Sequence, residues 1–186
     1  MHLSSLLFSL IFFLSLCLPN NESNTKADPL LFEDQIEWLT YAEAVERSKA
    51  EPRKILVDIY TDWCGWCKVM DRRTFGHEVI AQYVNERYYA VKLNAEMRES
   101  IDVDGKIYHY VNNGKQGYHE LAIALTKGKM SFPTIVVLNE EQKISKVIPG
   151  YKKPKEMDAI LKYYGENHYK STPFYLFSES FRSRVK

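Results

Sequence analysis

The sequence predicts an α/β domain with a mixed central β-sheet flanked by helices. The first half of the chain shows a strand–helix–strand order, and its later part shows an antiparallel hairpin followed by a helix. Such an order gives a sheet with both parallel and antiparallel neighbours. The 186 residues are 45% apolar and 26% charged, which suits one globular domain with extensions.

The first predicted elements are a short strand, a capped helix and a buried strand. Ile36–Leu39 is predicted as the strand, and Thr40 with Glu43 matches a capping box that opens a helix to about Ala50. Lys54–Tyr60 is apolar and rich in β-branched residues, which is typical of a buried strand.

The elements that follow are predicted from periodicity, turn residues and helix-end residues. They are a helical stretch from the cysteine pair to about Arg87 that breaks near Gly76, the strand Tyr89–Leu93, the hairpin of Ile135–Leu138 and Lys143–Ile148, and a last helix at Pro154–Tyr164.

Two cysteines separated by two residues, Cys64 and Cys67, lie at a predicted strand-to-helix turn. Unpaired N–H groups and the helix dipole at a helix N-terminus stabilise a thiolate and lower its pKa. We therefore predict Cys64 as an exposed nucleophile that attacks a partner disulfide, and Cys67 as the more buried thiol that resolves the mixed disulfide. A purely stabilising disulfide is disfavoured, because so short a loop constrains the unfolded chain little.

The N-terminal stretch Leu3–Leu18 is apolar but short for a transmembrane span, and is typical of a secretory signal peptide. Lipidation at Cys17 and an uncleaved anchor are alternatives, although a lipoprotein signal normally has a small residue where this chain has Leu16. The signal peptide, the lipidated cysteine and the uncleaved anchor all predict an extracytoplasmic, periplasmic domain. Any contact with the membrane would be limited to the N-terminal end of the chain.

Charge and residue spacing argue against several classes of partner and cofactor. A net charge of +1 gives no reason to expect a nucleic acid or an acidic membrane surface. Haem attachment of the c type needs His directly after the second cysteine, where this chain has Lys68. A zinc site needs two further ligands, and the histidines are scattered, so we expect neither metal nor cofactor. These histidines, expected at the surface or hydrogen-bonded, are His77, His109, His119 and His168.

The stretch Leu56–Lys68, with its Trp-Cys-Gly-Trp-Cys motif, resembles the active-site signature of the thioredoxin superfamily. Val91–Asn94 is similar to the family's next strand, Ser131–Thr134 to its cis-proline loop, and Gly150 to the glycine before its last helix. The match implies the thioredoxin fold. The Trp-Cys-Gly-Trp-Cys motif, together with a long connection at 95–130, looks most like exported bacterial thioredoxin-family proteins and, more distantly, resembles the C-terminal domain of the disulfide reductase DsbD.

The resemblance also defines the expected organisation of the chain. Its connection at 95–130 is longer than in thioredoxin, with turn residues that favour an inserted strand or hairpin around Ile107–Val111 and a helix at Tyr118–Lys127. Aromatic residues in the C-terminal extension leave its packing open. The expected parts are a signal peptide at 1–18, a linker at 19–32, a thioredoxin-like domain at 33–165 with its insert at 95–130, and an extension at 166–186.

Asp58 and Lys92 are the predicted acid–base residues beside the cysteines. An ionised Asp58 in an apolar strand is costly, so its pKa should be raised and it could take the proton of Cys67; the alternative is a solvent-facing acid at a strand end. The resemblance places Lys92 near this acid. It also implies that Pro133 is cis, rather than an ordinary trans proline, beside the cysteines.

The residues expected to bind a substrate surround the same motif. A cis Pro133 would place the backbone of Phe132 where it pairs with an extended substrate segment. Trp63 and Trp66 are predicted to shield the disulfide and form an apolar docking rim, although Trp63 packing on the domain is the alternative. The full predicted substrate-binding set is Trp63, Gly65, Trp66, Phe132 and Thr134.

These observations predict a thiol–disulfide oxidoreductase that reduces disulfides of extracytoplasmic proteins through a redox-active Cys64–Cys67 pair. Its partners would be protein thiols and disulfides, with an upstream thiol electron donor and no bound cofactor. Gly65-Trp66 replaces the Gly-Pro usual in thioredoxin, so a disulfide oxidase or isomerase is an alternative. A Cu(I)-binding module that uses both cysteines as soft ligands is another.

Overall fold

The computed structural model describes residues 35–186 except 113 and 115; the predicted signal peptide and linker lie outside these residues. In chain order the strands are β1 (Trp38–Leu39), β2 (Lys54–Tyr60), β3 (Tyr88–Asn94), β4 (Ile101–Val103), β5 (Lys106–Tyr108), β6 (Tyr110–Asn112), β7 (Gly117–His119), β8 (Thr134–Leu138) and β9 (Ile144–Pro149). The central sheet has the order β1-β3-β2-β8-β9. Because β2 is parallel to β3 and antiparallel to β8, the predicted α/β class with a mixed sheet is confirmed.

Helices cover both faces of the central sheet. In chain order they are α1 (Tyr41–Ala50), α2 (Gly65–Met70), α3 (Glu78–Arg87), α4 (Glu120–Thr126), α5 (Pro154–Gly165) and α6 (Phe174–Ser180). Leu56 belongs to a core shared with Leu161 of α5, whereas its neighbour Val57 belongs to a core shared with Val45 of α1. Successive strand residues point to opposite faces, so a strand covered on both sides is apolar at nearly every position. None of the helices in the described residues is long and apolar enough to cross a membrane.

The ends of the first and last predicted helices follow their local sequence. The N–H of Thr40 donates to Oε2 of Glu43 at 2.8 Å, and Thr40 Oγ1 accepts the N–H of Glu43 at 3.3 Å, which is the predicted capping box. α5 starts at Pro154 as predicted and ends at Gly165, one residue later than predicted. β3 is one residue longer at each end, and β1 begins two residues later than expected.

The helical stretch after the cysteines breaks near Gly76, as predicted. α2 continues into a π-helical turn at Asp71–Phe75, and α3 begins at Glu78. A Cβ atom on Gly76 would lie 2.8 Å from the carbonyl oxygen of Arg72. Glycine therefore allows the close backbone approach at which the chain turns from one helix into the next.

The insert forms two small hairpins, in which β4 pairs with β5 and β6 pairs with β7. A single strand or hairpin was expected around Ile107–Val111. These residues instead belong to two hairpins, with β5 before His109 and β6 after it. Gly117 lies opposite Asn112, and a Cβ atom on it would overlap the Tyr110 ring. Glycine thus allows the second hairpin to close against this tyrosine.

The start of the predicted helix at Tyr118–Lys127 is wrong, because Tyr118 and His119 belong to β7. His119 Nδ1 accepts the N–H of Leu121 at 3.3 Å, so His119 caps α4. A side chain that satisfies the first helical N–H groups defines a helix boundary. Periodicity alone does not indicate that a histidine has this role.

One backbone hydrogen bond closes the part of the insert that holds the two hairpins, between the N–H of His119 and the carbonyl oxygen of Ala95, at 2.7 Å. The N–H of Ala95 in turn donates to the carbonyl oxygen of Tyr60, at the end of β2, at 2.8 Å. The first residue of the insert and the end of its second hairpin are therefore both fixed beside the end of the central strand.

The chain after α5 folds back onto that helix. Ser183 Oγ donates to Oδ2 of Asp158 at 2.6 Å, and Asp158, which is fully buried, also pairs with Lys162. Val185 is only 3% exposed. The extension, whose packing the sequence leaves open, therefore contributes to the core beside α5.

Candidate active site

The cysteine pair lies where β2 ends and α2 begins. Cys64 is the N-cap of α2, forms a disulfide with Cys67, and accepts the N–H of Cys67 on its Sγ at 3.1 Å. The expected exposure of Cys64 is wrong: it is 4% exposed, and Cys67 is 1% exposed. The reason is that the Cys64 sulfur turns inward, towards the helix end, to form both of these bonds.

Asp58 lies fully buried in β2, directly opposite Lys92 in the parallel register with β3. Its Oδ2 accepts from Lys92 Nζ at 2.9 Å, while Oδ1 has no hydrogen-bond partner among the described residues. Burial raises the pKa of Asp58 to about 6, and this rise is opposed by the Lys92 ammonium. The solvent-facing alternative for this acid therefore does not hold.

Lys92 also binds a second carboxylate, that of Asp71 in the π-helical turn. Burial acts to lower the pKa of Lys92, but the carboxylates of Asp58 and Asp71 raise it more, so the net shift is upward. The ammonium also lies 5.0 Å from the ring centroid of Trp38 and 5.2 Å from that of Tyr60. Asp71 was not predicted from the sequence, although its position four residues after Cys67 places it on the same side of a helix.

The proline loop lies beside the end of β2. The Phe132–Pro133 bond is cis, and Thr134 is paired with Ile59 of β2. The Thr134 hydroxyl donates to the carbonyl oxygen of Ser131 at 2.7 Å, and its side chain is buried. Thr134 as a whole is only 1% exposed, so it offers almost no surface to a substrate.

Two groups of aromatic rings form around Trp63 and Trp66, each of which is a chain neighbour of a cysteine. Trp63 and Trp66 are each 62% exposed, so neither packs into the core. The Trp63 ring contacts Phe132 at 5.9 Å between centroids, and Phe132 contacts Tyr118 of the insert at 5.9 Å. In the second group Trp66 contacts Tyr151 at 5.4 Å. We call these five residues the aromatic rim.

Two rim residues, Tyr118 and Tyr151, were not predicted from the sequence. Tyr151 follows Gly150, whose φ of 83° and N–H bond to the Pro133 carbonyl at 2.8 Å bring that turn to the proline loop. The Trp63 indole N–H donates to the Glu96 carboxylate at 3.1 Å. No local pattern indicates Tyr118, which reaches the rim because the insert folds back towards Phe132.

The remaining predicted residues add little side-chain chemistry. Gly65 is the first residue of α2, and a Cβ atom there would meet no atom within 4 Å. His119 is fully buried and hydrogen-bonded, and burial lowers its pKa. Within the described residues, no group of three or more His, Cys, Asp and Glu side chains is placed to hold a metal ion.

Most of the chain is similar to a known protein family. A family model described as "Thioredox_DsbH: Protein of unknown function, DUF255" matches residues 23–167. An uncharacterized protein of Caenorhabditis elegans, B0495.5, is 23% identical over 137 residues, which are 62% of this chain and 19% of that protein. The matched part spans a fifth or less of the length of the curated relatives that it resembles.

Two solved structures share the fold. A thioredoxin-fold protein from Helicobacter pylori is matched with a TM-score of 0.55 at 17% identity, over 69% of this chain and 83% of that one. A thioredoxin from Thermus thermophilus is matched with a TM-score of 0.53 at 17% identity, over 72% and 95%. The thioredoxin fold predicted from the sequence is therefore confirmed.

Proposed function

The chain belongs to the Thioredox_DsbH family within the thioredoxin superfamily, and from that premise we propose that it is a thiol–disulfide oxidoreductase that reduces protein disulfides outside the cytoplasm. One observation supports this proposal most strongly. A Cys64–Cys67 disulfide caps the helix that follows the central strand, and that strand holds a buried carboxyl, Asp58. A dithiol at a helix N-terminus favours a thiolate at its first cysteine.

The proposed reaction transfers two electrons to the partner. The Cys64 thiolate attacks one sulfur of a partner disulfide, the partner S–S bond breaks, and the leaving thiolate takes a proton. Cys67 then attacks Cys64 Sγ, which breaks the mixed disulfide, releases the second partner thiol and leaves the Cys64–Cys67 disulfide. An upstream thiol donor restores the dithiol by the reverse exchange.

Asp58 is proposed as the base that accepts the Cys67 proton during resolution. Its raised pKa of about 6 is close to that of an effective general base near neutral pH. Asp58→Asn should slow single-turnover resolution of the mixed disulfide by about 10²-fold or more, with the fold intact. Asp62→Asn, which removes an exposed acid beside the motif, is the matched control. An unchanged resolution rate in Asp58→Asn would exclude this role.

The aromatic rim is proposed to bind an extended, apolar segment around the partner's cysteine. Exposed aromatic side chains such as Trp63 and Trp66 give a large contact area at low entropic cost. Phe132, before the cis proline, would offer its backbone to that segment. Trp66→Ala should raise KM for a protein disulfide while leaving the rate with dithiothreitol unchanged, and equal effects on both reactions would contradict the docking role.

The decisive experiment for the proposed function is trapping of the mixed disulfide. Cys67→Ser should accumulate a covalent adduct with a reducible protein such as insulin, because no resolving thiol remains. Cys64→Ser is the matched control and should form no adduct. Equal trapping by the two variants, or trapping by neither, would contradict the proposed roles.

Electron flow is tested by the reduction potential of the Cys64–Cys67 pair. Equilibration with dithiothreitol or glutathione buffers should give a value of about −270 mV for a reductase, and roughly −180 to −120 mV for an isomerase or oxidase. Tight Cu(I) binding that is lost in Cys64→Ser, with no disulfide exchange, would favour the copper module instead.

The proposed location and domain boundaries are tested by the mass of the mature protein. Cleavage after residue 18 would leave a chain that begins at Pro19, whereas lipidation would leave an acylated Cys17 at the N-terminus. An unprocessed full-length chain recovered from the cytoplasm would contradict the extracytoplasmic proposal.

A further inference from the structure

A cavity of about 740 Å³ lies between β9, α5 and the C-terminal segment. It is formed by the extension after α5 and involves none of the cysteine, carboxyl or proline-loop residues of the proposed active site. Its volume is within the range of about 300–1,000 Å³ typical of small-molecule sites. We call it the C-terminal cavity.

The walls of the C-terminal cavity are largely apolar. Ile148 of β9 and Ile160 of α5 face Phe174 and Phe181 of the extension. Phe174 is 40% exposed, and Ile160 is largely buried. Contact with water is therefore costly for these walls, and a hydrocarbon chain that filled the cavity would remove that cost.

Cations surround these walls. The lining residues include Lys146, Lys152, Lys155 and Arg182, with Glu156 as their one acid. Glu156 already accepts the N–H of the helix N-cap at 3.0 Å, and Lys152 donates to the Pro149 carbonyl at 2.9 Å.

Two of these cations, Lys146 and Lys155, have no acidic or hydrogen-bonding partner among the described residues. Lys146 on β9 and Lys155 on α5 form neither a salt bridge nor a side-chain hydrogen bond with any described residue. Both lie on the exposed side of their elements. The cavity thus combines an apolar interior with uncompensated positive charge around it.

We propose that the C-terminal cavity binds a free long-chain monocarboxylate, with its hydrocarbon chain against Ile148, Ile160 and Phe181 and its carboxylate beside Lys146 and Lys155. A compact anion would leave the apolar walls in water, and a neutral hydrocarbon would leave the cations without a counter-ion. The apolar side chains line a concave site, which suits a single chain outside a bilayer better than a flat membrane surface.

Calorimetric titration of the full, oxidised protein with octanoate, decanoate and dodecanoate below their micelle concentrations tests the proposal. Each buried methylene should tighten binding about 4-fold, equivalent to about 0.8 kcal/mol. Dodecanol, the neutral analogue, should bind more weakly than dodecanoate. The proposal would be overturned if dodecanoate showed no saturable binding up to a concentration of about 1 mM, which corresponds to a weak dissociation constant. It would also be overturned if the affinity did not depend on the length of the hydrocarbon chain.

Lysine variants test where the carboxylate binds. Lys146→Gln and Lys155→Gln should each weaken dodecanoate binding by about two- to fivefold, as expected for a partly exposed ion pair. Lys143→Gln is the matched control, because this exposed lysine precedes β9 and does not line the cavity. Equal effects of all three variants would show a non-specific charge effect and overturn the site.

Two further titrations distinguish other ligands. Binding to phosphatidylglycerol vesicles without binding of monomeric dodecanoate would assign the surface to a bilayer. Binding of inorganic phosphate with the affinity of dodecanoate would indicate a simple anion site. Either result would overturn the proposal, and neither depends on the redox activity of the cysteines.

Discussion

Replacing Asp58 with asparagine tests the energetic cost of the buried carboxylate, independently of its role in catalysis. The folded pKa of Asp58 is about 6 and its reference value is 3.8. Between about pH 4 and 6 the folded chain retains a proton that the unfolded chain has lost, so the stability of the native protein falls as pH rises through this range. The gap of about two pH units corresponds to about 3 kcal/mol. Above pH 6 both states are ionised and this contribution becomes constant.

The amide introduced by Asp58→Asn resembles the neutral carboxyl at every pH. The free energy of unfolding of Asp58→Asn minus that of the native protein should therefore rise by about 3 kcal/mol between pH 4 and pH 8. Urea unfolding of both proteins, kept oxidised so that the thiols do not titrate, measures this difference. The subtraction removes contributions from groups that both proteins share.

Asp62→Asn is the control, because it makes the same chemical change at an exposed acid. Its difference from the native protein should change little across the same pH range. A flat difference for Asp58→Asn would refute the reasoning, because it would mean that burial does not raise the pKa of this carboxyl. A difference that falls with pH would mean that the Lys92 ion pair outweighs the desolvation of Asp58.

Three further substitutions test separate features of the fold, each by urea unfolding of the oxidised protein. Thr40→Ala removes the capping box of α1 and should cost about 1 kcal/mol, and an unchanged stability would contradict the role of the cap. Gly117→Ala places a Cβ atom 2.7 Å from the Val111 carbonyl oxygen and should cost about 1–3 kcal/mol; faster amide exchange in the second hairpin, absent from the first, would locate the effect. Ser183→Ala removes one hydrogen bond to the buried carboxyl of Asp158 and should cost about 1–3 kcal/mol, whereas Ser178→Ala, which leaves Asp158 untouched, should cost less.

Much of the active site could be predicted from the sequence because its residues are defined by local patterns. After Lys54, β2 is an apolar run interrupted once, at Asp58, and the cysteines begin four residues after its end. A charged residue in a strand that is covered on both faces needs a partner, and the resemblance to thioredoxin indicated Lys92. The pairing of Asp58 with Lys92 in the sheet register agrees with that expectation.

The features that the sequence did not predict depend on long-range packing. Tyr118 joins the aromatic rim only because the insert folds back onto Phe132. The low exposure of Cys64 depends on the direction of its side chain at the helix end, which its position in the motif does not determine. The packing of the extension depends on Asp158, a buried acid on α5 whose partner Ser183 lies far along the chain.

The hydrogen bond between His119 and Ala95 has a consequence for how the insert can vary in length. This bond closes the segment between Ala95 and His119 on itself, so the length of that segment has little effect on the larger connection between β3 and β8. The entropic cost of closing a loop grows only with the logarithm of the number of residues in it. Each hairpin inside the segment also closes on itself. The turns inside this segment can therefore change in length at an entropic cost of about 0.6 kcal/mol for each doubling of loop length, with the strand order of the central sheet unchanged, provided that side chains packed on the core, such as Ile101 and Tyr108, are kept.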